Sequence, residues 1–201
     1  MQYEKVRVAF DAVMFTIAND TLKVFLIKRE KEPFKGKYEL IGGLLLPKET
    51  AESALQRKLN EYISETSIYF TQFYTFTKPE RDPRERTVSI GYIALVNEKN
   101  APTTKEWFGI EDLPALAFDH KEIISKAKEH LANNLNSEII KHFLPQTFPL
   151  NKLQAIHEAI TGNKCDNRNF RKKMIASGIV KETDEQEFNV SHRPAKLYKF
   201  A

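Results

Sequence analysis

The run Gly36-Lys37-Tyr38-Glu39-Leu40-Ile41-Gly42-Gly43, with Glu49, Thr50 and Arg57 beyond it, decides how this chain is read. Residues 36–41 have the composition of a short strand ending at the double glycine. Thr50 to about residue 62 has helical spacing: Ala51, Leu55, Leu59, Tyr62 and Ile63 share one face, and the Thr50 hydroxyl is placed to cap the first turn. Five residues separate Gly43 from Glu49, and seven separate Glu49 from Arg57. Upstream, Val6, Val8, Phe10, Ala12 and Met14 alternate with Ala9, Asp11, Val13, Phe15 and Ile17. Both faces of that run are largely apolar, the pattern of a central strand covered on both sides. Asn19-Asp20 turns it into a partner at 22–28. Downstream, strands are expected at 68–76, 86–96 and 106–110, and Asp119 is expected to cap a helix reaching about residue 135. Strands with two helices over about 140 residues make an α+β domain of α/β/α sandwich type.

His142-Phe143-Leu144-Pro145-Gln146-Thr147-Phe148-Pro149 then places two prolines within five residues. Proline stops helix propagation, so 143–149 reads as a linker. Beyond it, Leu150, Leu153, Ile156, His157 and Ile160 recur at helical spacing and Gly162 ends the helix. Asp166 is expected to cap a second helix to about residue 177, closed by Gly178. Residues 179–180 and 196–200 read as two short strands around a polar loop. Helix, turn, helix and hairpin within about 50 residues is the pattern of a winged helix. The expected division is therefore 1–142, a linker at 143–149, and 150–201.

The composition, 41% apolar and 29% charged, is that of an ordinary globular protein and excludes a disordered one. The lone Cys165 excludes an internal disulfide framework and a cysteine zinc site, and it suits a reducing, cytoplasmic setting. No apolar run approaches the roughly 20 residues of a membrane helix. The first residues run into strand-like sequence without an apolar leader core, so no secretory signal is expected. The net charge of +4 is uneven: residues 1–140 carry 20 Lys+Arg against 21 Asp+Glu, and 141–201 carry 11 against 6. Only the small domain is basic, so it is the part expected to meet a polyanion. On charge alone a merely solvated basic surface stays open.

The segment 36–65 resembles the Nudix signature of Mg-dependent hydrolases of nucleoside diphosphates. That signature runs Gly, five residues, Glu, seven residues, then Arg-Glu-apolar-x-Glu-Glu-x-Gly. Gly43, Glu49 and Arg57 stand at three of its anchors. The family's metal carboxylates fall on Lys58, Glu61 and Tyr62, so one of three remains, and its last glycine falls on Ser64. Mg²⁺ is held by carboxylates together with substrate phosphates. At an effective dielectric near 20, two unit charges about 4 Å apart interact by about 4 kcal/mol, so a lysine there strongly opposes the cation. The box is expected to be catalytically dead, with no catalytic residue, no metal ligand and no cofactor. Glu49 and Arg57 are expected to persist as a structural ion pair, and Lys58 to pair with Glu61.

The resemblance extends over about residues 5–200. Arg81-Asp82-Pro83-Arg84-Glu85-Arg86-Thr87-Val88-Ser89-Ile90-Gly91-Tyr92, Leu113-Pro114-Ala115-Leu116-Ala117-Phe118-Asp119-His120 and Asn167-Arg168-Asn169-Phe170-Arg171-Lys172-Lys173 are similar to segments of the Nudix-related transcriptional regulators. In these a Nudix-like domain senses a metabolite and a C-terminal winged helix binds the operator. The similarity is to the branch that senses sugars, typified by an arabinose-responsive repressor; another branch senses ADP-ribose. The resemblance implies a homodimeric, cytoplasmic repressor of transcription that binds double-stranded operator DNA, answers to a sugar such as L-arabinose, and has no membrane partner. An active Nudix hydrolase of ADP-ribose or a related compound is the second reading. A protein-interaction module is the third, for the basic domain alone.

In the second helix of the small domain, Phe170 and Met174 share one face. Arg168, Arg171 and Lys172 lie away from it, with Asn169 and Lys173 flanking. Cations meet phosphates, and Arg and Asn read base edges in bidentate fashion. The hairpin adds His192, Arg193 and Lys196 as wing contacts, and the acidic run 182–187 is expected to face away from the duplex. In the large domain Asp11 is a mid-strand carboxylate that needs a partner, either a structural cation such as Lys28 or Arg29 or the hydroxyls of a sugar. Tyr38, Glu39, Lys58 and Arg81 complete the expected ligand-binding set, and His120 reads as a helix-start contact.

Overall fold

The computed structural model describes residues 5–63, 68–103, 106–188 and 193–201. Its organising element is β1 (Arg7–Ala18), buried without a break from Phe10 to Ile17. Asn19 and Asp20 both take left-handed φ angles, 52° and 56°. This is the primed two-residue turn whose twist matches a hairpin and which Asn and Asp tolerate. It sends β2 (Thr21–Phe25) back antiparallel, with Phe15 opposite Val24. A separate ribbon, β3 (Ile27–Lys28) with β4 (Tyr38–Glu39), precedes β5 (Ile41–Leu44), which pairs with β1.

The strand expected to end at the double glycine runs through it, with Gly42 opposite Asp11 and Gly43 opposite Phe10. A Cβ on Gly42 would lie 2.6 Å from the Phe10 carbonyl and 2.7 Å from Asp11 Oδ1. Glycine is what lets β5 lie against that carboxylate.

Helix α1 (Ala51–Leu59) follows, capped by the Thr50 side chain, which accepts from the Ser53 amide. Then come β6 (Tyr69–Phe76), β7 (Thr87–Leu95), β8 (Trp107–Gly109) and α2 (His120–Asn133). The main sheet has the order β6-β7-β1-β2-β8, with β5 also on β1. Within it β1 and β7 run parallel. Alternation along β1 divides the core in two. Phe10, Ala12 and Met14 meet Leu55 and Leu59 of α1, whereas Val13, Phe15 and Ile17 meet Ile123, Ile124 and Ala127 of α2. Asp11 therefore belongs to the α2 side.

The chain continues through α3 (Ser137–Ile140), β9 (Phe148–Pro149), α4 (Leu150–Thr161), α5 (Asn167–Ala176), β10 (Val180–Gln186) and β11 (Lys196–Phe200). The three strands form a sheet of order β10-β11-β9. Gly162 ends α4 with φ 74°, and the Asp166 side chain accepts from the Asn169 amide at the head of α5. The stretch 143–149, expected as a linker, is folded: Phe143, Leu144 and Phe148 are buried, and Phe148-Pro149 pairs with Leu197-Tyr198. Burial of each such side chain contributes about 1.5–3 kcal/mol, so three of them hold the stretch down despite its prolines. Helix α4 packs on both α2 and β2. One buried cluster consequently runs from Val13 and Phe15 through Ile123 to Leu150, Leu153 and Ile156. Among the described residues no helix is long and apolar enough to cross a membrane.

Candidate ligand pocket and nucleic-acid interface

The loop–helix junction is built around one ion pair. Arg57 donates from Nε to Glu49 Oε1 at 2.6 Å and from Nη2 to Oε2 at 3.0 Å, and the Leu46 amide donates to the same carboxylate at 3.1 Å. The hydrogen bond from Arg57 holds the Glu49 carboxyl below its usual range. Lys58 Nζ donates to Glu61 Oε2 at 3.0 Å. Tyr62 packs edge-on to Phe25 with centroids 5.4 Å apart. Burial, then the charges of Glu61, Glu39 and Glu106, raise its phenol. Glu106 Oε2 is itself buried without a hydrogen-bond partner among the described residues. Among the described residues no three His, Cys, Asp or Glu side chains are grouped to hold a metal ion. A lone Glu61 neutralised by its own lysine does not fit Mg²⁺, which needs several oxygen donors. Ser64 lies outside the described residues.

On the α2 side the partner of Asp11 is Arg81, at the end of a short 3-10 turn (Pro79–Arg81). Arg81 Nη2 donates to Asp11 Oδ2 at 2.9 Å, and Ser89 Oγ donates to the same oxygen at 2.6 Å. His120 Nε2 faces Asp11 Oδ1 at 3.4 Å, while His120 Nδ1 accepts from the Leu40 amide at 3.0 Å. Arg81 also grips Asp119, through Nε at 2.9 Å and Nη2 at 2.7 Å. Asp119 was expected to cap α2 with its side chain; it precedes the helix but makes no capping bond, because Arg81 takes its carboxylate. The Arg81 and Asp11 side chains are only 5% and 10% exposed. Burial raises the Asp11 carboxyl, but His120, Arg81 and Ser89 outweigh it and bring its pKa to about 2. Burial likewise works against the Arg81 charge, and the two carboxylates more than offset it. Asp11 Oδ2 is thus committed to Arg81 and Ser89, while Oδ1 faces His120 at the cavity wall.

Around this network lies a cavity of about 230 Å³ whose walls include Arg29, Glu39, Arg81, Arg84 and Phe118 as well as Asp11. Phe118 has a left-handed φ of 49°. The Arg29 guanidinium stands 4.8 Å from its ring centroid and that of Arg84 5.4 Å. Arg29 is held by Glu39 Oε2 at 2.6 Å, and Arg84 by both oxygens of Asp82. A larger, more open cavity of about 880 Å³ shares Arg81 and Phe118 and adds Lys78, Lys121 and Lys126. Of the expected ligand set, Asp11, Glu39 and Arg81 line the inner cavity; Tyr38 and Lys58 do not. The Tyr38 ring packs edge-on to Phe108, 4.9 Å away, and Lys58 is turned to Glu61. Arg29, a candidate partner for Asp11 in the sequence, pairs with Glu39 instead; Arg84 and Phe118 carry no pocket signal in the sequence, and Phe118 none for its left-handed backbone.

In the small domain Arg168, Asn169, Arg171, Lys172 and Lys173 are exposed along α5, while Phe170 is buried and Met174 packs against the core. Arg193 and Lys196 are exposed on the wing side, and His192 lies outside the described residues. Helix α5 is fixed to α4 by a polar clasp. Gln154 Nε2 reaches Glu158 at 2.8 Å, the Cys165 carbonyl at 2.9 Å and Asn167 Oδ1 at 2.8 Å. Hydrogen bonds from Gln154, Lys164 and the Cys165 amide lower Glu158 to about 2. The acidic run differs from expectation at its first member: Glu182 turns to Tyr198 and Lys196 instead of away from the basic residues.

Residues 7–127 match the NUDIX domain family, and residues 140–200 match the NrtR DNA-binding winged helix domain. An Acinetobacter baylyi protein named as an ADPR responsive transcriptional repressor, NtrR, is 33% identical over 95% of this chain and 80% of its own length. Shewanella oneidensis NrtR in complex with a 27mer DNA superposes with a TM-score of 0.84 at 30% identity, covering 96% of this chain and 93% of that one. The NUDIX domain of the same Shewanella protein, in complex with ADP ribose, gives a TM-score of 0.56 at 31% identity over 64% of this chain and 90% of that one. The Acinetobacter relative is named as ADPR responsive and the Shewanella NUDIX domain is solved with ADP ribose, which corrects the expected kinship with the sugar-responsive branch.

Proposed function

This chain belongs to the NUDIX family, in the arrangement with a C-terminal NrtR-type winged helix, and we propose that it is a transcriptional repressor whose Nudix-like domain binds ADP-ribose without cleaving it. The observation that carries this reading is the pair of guanidinium groups of Arg29 and Arg84 over Phe118, with Arg81 in the same cavity wall, beside a box with one carboxylate where three are needed. Arginine forks suit a diphosphate, and an aromatic face suits a base. The inner cavity has room for about one ring-sized group, and the outer one supplies the space a nucleotide-sized ligand requires. Arg81 and Glu39 take part in binding, Glu39 by aiming Arg29. Asp11 anchors Arg81, and Tyr38 and Lys58 serve packing and charge balance.

The small domain, from about residue 148 onward, supplies the operator contacts through Arg168, Asn169, Lys172 and Lys173 on α5, flanked by Arg171, Arg193 and Lys196. One short recognition helix covers a half-site, so the working form is a homodimer on a two-fold operator. The setting is the cytoplasm. Coupling runs along α2, whose head carries Phe118 and Asp119 and whose body packs on α4. A ligand that binds unequally to two placements of that head shifts the equilibrium of the reading head.

The test is fluorescence anisotropy of a duplex from the promoter upstream of the chain's own coding region, with the full chain bound. ADP-ribose is expected to release the duplex and L-arabinose to leave it bound; release by arabinose alone would reverse the assignment. Arg168→Ala is expected to weaken binding and to flatten the salt dependence by about one unit of log–log slope.

A further inference from the structure

Two of the cations expected to meet DNA are not free in this structure. Arg171, in the middle of α5, donates from Nη2 to the Tyr198 hydroxyl at 2.9 Å, with its guanidinium 5.8 Å from the ring centroid. The Tyr198 hydroxyl donates onward to Glu182 Oε2 at 3.2 Å. Lys196, at the start of β11, pairs with Glu182 Oε1. Tyr198 is buried, whereas Glu182 and Lys196 stand in solvent. A recognition-helix arginine, a core tyrosine and a wing lysine therefore converge on one carboxylate.

We propose that Glu182 restrains sequence-independent DNA binding by holding Arg171 and Lys196 in one arrangement and withholding their charge from misplaced phosphates. The inference rests on reading this domain as DNA-binding. Sequence-independent affinity comes almost wholly from cations that neutralise phosphates and release counterions. With the carboxylate present the three ionic groups sum to +1, and without it to +2. A phosphate path that merely passes near the wing must break two hydrogen-bonded pairs and approach an anion. Only a backbone that meets both cations while avoiding Glu182 compensates for that loss. Discrimination here comes from a repulsive group inside the binding face, which sets wrong partners back more than right ones. Tyr198 makes the restraint act on α5 as well as on the wing, since its hydroxyl accepts from Arg171 and donates to Glu182 at once.

The experiment titrates the full chain, wild type and Glu182→Gln, against a labelled duplex of mixed sequence over a salt series. Glutamine keeps the size and a hydrogen-bonding oxygen and removes the charge. The variant is expected to bind on the order of five-fold tighter at low salt, with a log–log salt slope steeper by about one to two units, one for each cation released. Asp184→Asn makes the same charge change two residues along β10, at an exposed position with no ion pair among the described residues. It is expected to move both quantities much less, and adding Arg171→Ala to Glu182→Gln is expected to cancel most of the gain. Salt-dependent binding that is equal in wild type and Glu182→Gln, or raised equally by Asp184→Asn, overturns the restraint while leaving the DNA-binding reading intact. Absence of salt-dependent binding in every variant overturns both.

Discussion

Two neighbourhoods of the large domain are built from the same materials, arginine and carboxylate, and differ in what surrounds them. At the loop–helix box, Arg57 holds Glu49 with bonds of 2.6 and 3.0 Å, yet its side chain is 41% exposed. At the head of α2, Arg81 holds Asp11 and Asp119 with 5% of its side chain exposed. Water screens the first pair and competes for its hydrogen bonds, so it orients a loop and contributes little else. The second is largely shielded from water: removing Arg81 leaves two buried carboxylates without their cation, whereas removing Asp11 leaves Arg81 paired with Asp119. The ion pair at the box braces a loop on α1, and the charged interior next to it is the part on which both fold and pocket depend.

The contrast is testable by substitution. Arg81→Met is expected to have the largest effect, destabilising by about 3–5 kcal/mol in urea unfolding because two buried carboxylates are left facing each other. A loss no larger than that of an exposed pair would erase the distinction. Asp11→Asn comes next, at about 2 kcal/mol, since Arg81 keeps Asp119 and a charge-assisted hydrogen bond is lost. The acid side offers a second readout. Asp11 titrates in the fold at about 2 against an ordinary value of 3.8. Its contribution is therefore fully present above the higher value and is lost as pH falls through the lower one. Wild type is expected to lose stability across that window more steeply than Asp11→Asn, and parallel curves would contradict the network.

Lys58→Glu combined with Tyr62→Glu should cost less stability than either change at the buried cluster and should create divalent-cation affinity, read by calorimetry with Mg²⁺. No gain in cation binding would mean that the residues at 58 and 62 do not account for the poor fit to Mg²⁺. Arg57→Met is expected to be the mildest, changing the melting temperature severalfold less than Arg81→Met.

Much of this was legible in the sequence because it follows from periodicity and local chemistry. The unbroken apolar run of β1, the Asn19-Asp20 turn, the Thr50 and Asp166 caps and the spacing of Gly43, Glu49 and Arg57 all act over a few residues. The buried cluster was not legible, because Asp11, Arg81 and Asp119 are joined only when the 3-10 turn and the head of α2 close over β1. Asp119 illustrates the difficulty: its position before α2 says cap, and a tertiary partner overrides that. The double glycine was legible as a break in composition but not as the place where β5 must pass the Asp11 carboxylate. At 143–149 the two prolines are a local signal for a linker, whereas the burial of Phe143, Leu144 and Phe148 is a tertiary property that no local signal carries. Arg29, Arg84 and Phe118 form the pocket by convergence from three separate segments, which no window of sequence contains.

The most direct test is to mix the full chain with ADP-ribose and Mg²⁺, follow binding by calorimetry, and recover the nucleotide by chromatography. Saturable binding of equal strength with and without Mg²⁺, and intact ADP-ribose recovered afterwards, is the expected result. AMP and ribose 5-phosphate accumulating with steady turnover in the presence of Mg²⁺ would contradict it and return the box to catalysis.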